Sequence, residues 1–124
     1  MGEVRPPNVL SASELCTDPV TNVHGERLGK MEEVMIDLER GRVAYCVISF
    51  GSKALGKNKF FAVPWEALQI SFHDRKIIFN VSEQTLKEAP GFDKRDWPQE
   101  LDMTWLAEVY KCYDCTPYWE TEEA

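Results

Sequence analysis

A chain of 124 residues with 44% hydrophobic content suits one domain that can close a core without metal or disulfide. Its formal charge of −7 is uneven: residues 1–81 carry ten basic and ten acidic side chains, whereas residues 82–124 carry four and eleven. Such an acidic C-terminal third repels phosphate backbones, so direct nucleic-acid binding is not expected.

The start, MGEVRPPNVLSASEL, has no apolar signal core, and no run approaches a membrane span. Pro6 stands where a myristoylation signal needs Ser or Thr. A soluble cytoplasmic protein with reduced cysteines is expected. Residues 1–9 read as a flexible lead broken by Pro6, Pro7 and Asn8. Residues 11–15 predict one helical turn capped by Ser11 or Ser13.

Val20–Val23 reads as a short extended run, followed by turns at Gly25 and Gly29. Val34, Ile36 and Leu38 alternate with Met35 and Asp37, the period of a half-buried strand. The next turn has Gly41 at a position suited to positive φ. Val43–Phe50 is apolar at almost every position, so this strand is expected to be covered on both sides. Val43, Tyr45 and Val47 would share one face, and Ala44, Cys46, Ile48 and Phe50 the other.

Phe60–Val63 predicts another strand, ended by Pro64, which has no N–H to give. WEAL is a short bend. Gln69–Phe72 and Lys76–Val81 read as a hairpin. Several short strands with turns between them indicate a small all-β barrel or sandwich.

After Val81 the pattern changes. Ser82 can cap a short helix that stops at Pro90. PGFDKRDWPQ reads as a loop. Asp102 can cap a second helix, on which Leu101, Trp105, Val109 and Tyr113 form one apolar stripe beside Leu106 and Tyr110. Seven of the fourteen aromatic residues lie between Phe92 and Trp119. Large rings bury much area, so this tail is expected to wrap the sheet and cover the outer face of Val43–Phe50. A docking surface for another chain is the competing use of the same rings.

Cys112 and Cys115, in KCYDC, have the spacing of a redox dithiol or half a zinc site. A redox thiolate needs a helix N-terminus or a cation, yet Cys112 falls near a helix C-terminus with Asp114 beside it. A structural zinc needs four ligands, and Cys16, Cys46, His24 and His73 supply no second close pair. Both cysteines therefore read as small apolar residues of the cap. His24 and His73 read as turn residues. Lys53, Lys57 and Lys59 either blunt a sheet edge or meet an anionic partner. The acidic tail, in the same chain or across a dimer, is one such partner.

Three stretches, NVHGERLGKMEEVMIDLERGRVAYCVISFG (22–51), KFFAVPWEAL (59–68) and APGFDKRDWP (89–98), resemble the PRC-barrel family in order and spacing. The aromatic finish at Tyr118–Trp119 is similar to that of small stand-alone bacterial members, and the likeness extends over roughly residues 10–119. The family includes the cytoplasmic domain of the photosynthetic reaction-centre H subunit, and a related barrel forms the C-terminal part of a ribosome-maturation factor. The resemblance implies a reused scaffold that binds proteins or organises assemblies, with no catalytic constellation to carry over. GSKALGKNK (51–59) departs from the usual loop, which is richer in glycine and apolar residues, and the KCYDC dithiol is not part of the pattern.

The expectations are these. The fold is mainly β, a small PRC-type barrel of about six short strands over residues 10–81, with a helical, aromatic-rich cap over 82–124 packed on it. The function is a non-catalytic interaction or assembly module, self-associating as a dimer, with its protein partner unidentified. A ribosome- or RNA-processing-associated factor is the alternative. A thiol-redox or zinc-binding protein acting through Cys112 and Cys115 stands last. No catalytic residues, cofactor or metal are expected. The candidate interaction surface comprises Lys53, Lys57, Lys59, Phe92, Trp97, Tyr118 and Trp119.

Overall fold

A computed structural model describes residues 9–50, 59–71, 73–81, 85, 91–93 and 103–120. Helix α1 (Ala12–Leu15) starts where Ser11 Oγ accepts the Glu14 amide at 3.1 Å, the capping arrangement expected of serine. Strands β1 (Pro19–Thr21), β2 (Arg27–Asp37), β3 (Arg42–Phe50), β4 (Lys59–Val63), β5 (Leu68–Ser71), β6 (Lys76–Phe79) and β7 (Gly91–Asp93) follow. A 3-10 turn at Trp65–Ala67 separates β4 from β5. Helix α2 spans Met103–Cys112, and a last 3-10 turn spans Tyr118–Glu120.

The strands form one sheet in the order β5-β6-β1-β2-β3-β4-β7. All neighbours are antiparallel except β1 and β6, which run parallel. A flat sheet would hold β3 and β6 three spacings apart, roughly 14 Å. Yet the rings of Phe50 on β3 and Phe79 on β6 lie 6.2 Å apart. The sheet is therefore curled into a half-barrel, and Val20, Met31, Cys46, Ile48, Phe61 and Ile77 fill its hollow.

Two irregularities assist the curl. Between Met31 and Glu33, β2 carries an extra residue against β3; between Tyr45 and Val43, β3 carries an extra residue against β2. Bulges of this kind sharpen local twist. The second also resets which side chains point where. Cys46, Ile48 and Phe50 face the hollow as expected, but Ala44 joins Tyr45 and Val47 on the outer face, while Val43 packs toward the hollow. The simple alternation read from sequence holds from Phe50 back to Tyr45 and breaks at Ala44.

Other expectations change as well. Ile36 and Leu38 are not core residues; they are 51% and 90% exposed. Gly25 does turn the chain, with φ +82°, but Gly29 lies inside β2. There a Cβ would collide with the Ser49 carbonyl oxygen, so glycine is required by the closeness of β3 rather than by a turn. Gly91–Asp93, expected to be loop, pairs with Lys59–Phe61 as β7. The short helix expected after Ser82 lies outside the described residues, apart from Thr85, which is helical.

Candidate functional site

The described surface with the most built structure is the seam where α2 and the final turn meet the outer face of the sheet. Leu106, Val109 and Tyr110 fall at helical spacing on one side of α2, and all are buried against Tyr45, Val47, Phe60 and Ala62. Fully burying a side chain such as Leu or Val contributes about 1.5–3 kcal/mol. This stripe thus supplies the apolar cover that the doubly buried β3 demands. The ring of Trp105 meets Tyr45 edge-on at 5.6 Å. Beyond α2, Tyr118 and Trp119 extend the packing, with Tyr110–Trp119 at 5.6 Å and Tyr118–Trp119 at 5.1 Å.

Two tyrosine hydroxyls fix the position of this cap. Tyr110 Oη donates to the Ala44 carbonyl oxygen at 2.7 Å. That carbonyl belongs to the bulged residue of β3, which ladder pairing leaves irregular. Tyr118 Oη donates to Asp37 Oδ2 at 2.6 Å. Asp37 already organises the β2–β3 turn: its Oδ1 accepts the amides of Glu39 and Arg40, each at 3.0 Å. The Arg40 guanidinium adds a contact to Oδ2 at 3.3 Å. The Tyr118 hydroxyl and then the Arg40 amide hold the Asp37 carboxyl below its ordinary value. The Tyr118 phenol is pushed up to about 12, by burial first and by Asp37 second.

Arg42 joins the same corner from β3. Its guanidinium lies 4.7 Å from the centre of the Tyr118 ring, and it pairs with Glu66 at 2.9 Å. One hairpin turn, one strand, the Trp65–Ala67 turn and the final turn are tied together there.

KCYDC takes its spacing from the end of α2. The Cys115 amide bonds the Tyr110 carbonyl at 2.9 Å, the Asp114 amide bonds that of Lys111 at 3.0 Å, and Asp114 has φ +56°. These are the two bonds and the left-handed residue of a Schellman cap. The two thiols part company across it: Cys112 packs toward the hollow and Cys115 toward the outer cluster. Burial, with Glu66 and Asp114 adding to it, raises the Cys115 thiol, the opposite of a redox thiolate. Cys16 is likewise raised by burial, and Cys46 is pushed up to about 12 by it. Among the described residues no group of three or more His, Cys, Asp and Glu is placed to hold a metal ion.

The candidate interaction residues are dispersed. Tyr118 is 2% exposed and faces the sheet, so it belongs to the cap's internal packing rather than to an open surface. Trp119 is half-buried at the edge of the cap. Phe92 lies opposite Phe60 on β7, and Lys59 opens β4 opposite Asp93. Lys53, Lys57 and Trp97 lie outside the described residues. Sequence reasoning missed Asp37, Arg42 and Glu66. The available signal was Asp37 four residues before Gly41 in DLERG, an Asx-turn pattern that the alternation of β2 overshadowed.

Among the described residues no helix is long and apolar enough to cross a membrane. No curated protein matches the chain. A model of the PRC-barrel domain matches residues 7–86. The match runs through β1 to β6, more than half of the chain and nearly all of the curled sheet, and so the chain belongs to the PRC-barrel family.

Proposed function

We propose that this chain is a non-catalytic interaction or assembly module that associates with itself in the cytoplasm. One observation carries the reading. The C-terminal part covers the outer face of the sheet and presents a new outward surface, on which Met103 is 44% exposed beside the half-buried Trp119. Lying side by side there, Met103 and Trp119 offer a second chain adjoining apolar area to bury. The raised thiols of Cys16, Cys46 and Cys115 support the non-catalytic part of the reading, because a protonated thiol is a poor nucleophile.

Light scattering and sedimentation across a wide concentration range test it. A concentration-dependent rise in mass to a defined dimer is the expected result. A monomer at every concentration overturns self-association, and turnover of a substrate by the purified chain overturns the non-catalytic reading. Salt-sensitive retention of RNA would favour the ribosome-associated alternative.

A further inference from the structure

On its outward side α2 forms a groove with the segment that follows it. Two adjoining hollows of about 390 and 370 Å³ share Ala107 and Lys111 as their common wall. One end is apolar, with Met103 and Trp119. The rest is rimmed by the exposed carboxylates of Glu108, Asp114 and Glu120, opposed among the described lining residues by the ammonium of Lys111. The groove therefore asks for a segment with a small apolar side chain flanked by positive charge.

The chain contains such a segment. GSKALGKNK (51–59) places Leu55 between Lys53 and Lys57, adds Lys59, and has no acidic residue. We propose that the groove on the outward side of α2 receives segment 51–59 of a second copy of this chain, Leu55 against Met103 and Trp119, and the lysines against the carboxylates. This rests on the self-association reading and names its interface.

A two-fold pair of chains can exchange segments reciprocally, each docking in the other, with Lys53, Lys57 and Lys59 set against the carboxylates of Glu108, Asp114 and Glu120.

The test compares the wild type with Lys53→Gln/Lys57→Gln and with Glu108→Gln/Glu120→Gln by sedimentation at low and high salt. Circular dichroism and thermal melting establish that each variant folds. Loss of two exposed charge pairs at each of two sites is expected to weaken the dimer roughly tenfold at low salt, and added salt should shrink the difference. Lys53→Glu/Lys57→Glu and Glu108→Lys/Glu120→Lys should each be monomeric alone and form a mixed dimer when combined. A wild-type dimer that the neutralised variants leave unchanged, or reversed variants that fail to combine, overturns the groove proposal and leaves self-association standing. A wild type that stays monomeric overturns both.

Discussion

Asp37 shows how one side chain can decide several structural relations at once. Its carboxylate holds the β2–β3 turn through two amides and the cap through the Tyr118 hydroxyl. Because these donors depress its folded value, the unfolded chain binds the proton more readily as pH falls. The stability contributed is therefore present above the ordinary carboxylate value of 3.8 and is lost as pH drops through the lower, folded one. In Tyr118→Phe the largest depressing cause is gone. Thermal melts of this variant should show lower stability near neutrality and a flatter loss below 3.8 than the wild type. Parallel pH curves would show that the Tyr118 hydroxyl does not hold the Asp37 carboxyl down. Asp114 gives a residue-scale change of opposite sign. It occupies a left-handed position at φ +56° beside the carbonyl end of α2, where glycine is freer and a negative charge is disfavoured. Asp114→Gly is expected to raise stability by about 0.5–1 kcal/mol in chemical denaturation.

At the scale of elements, β2 and β3 set the shape and show where sequence reading succeeds. Strand composition and alternation make β3 legible from Tyr45 to Phe50, and its apolarity on both faces correctly requires a cover. Alternation carries no mark of an inserted residue, so the reversal at Ala44 and the exposure of Ile36 appear only once pairing is known. β7 was hidden for a related reason. Gly91 and Asp93 disfavour a strand and outweigh Phe92 in so short a run, and pairing with the edge of β4 makes them one. Gly29 connects these strands most tightly. Gly29→Ala pushes a methyl group into the Ser49 carbonyl, and the strands must part or slip. A loss of roughly 3 kcal/mol is expected, read as a lower denaturation midpoint. A substitution that left the midpoint unchanged would contradict so close an approach of β2 and β3.

Across the whole molecule, the sequence shows that a ring-rich C-terminal part must lie on something, and the structure shows on what. The stripe of Leu106, Val109 and Tyr110 was visible from helical spacing, and these side chains lie on Tyr45, Val47, Phe60 and Ala62. The precise anchoring was not visible: a bulge carbonyl and a turn carboxylate are products of pairing, with no composition of their own. The same limit applies to the groove, because Glu108, Asp114 and Glu120 converge only after the chain has bent at the Schellman cap. Packed this way, the half-barrel and its cap are expected to open as one cooperative body. Amide hydrogen exchange at concentrations where the chain is monomeric tests that claim most directly. Amides of α2 should exchange as slowly as those of β3, through the same global opening. Fast exchange throughout α2, with β3 and β4 still protected, would show a cap that does not hold the sheet and would contradict the account.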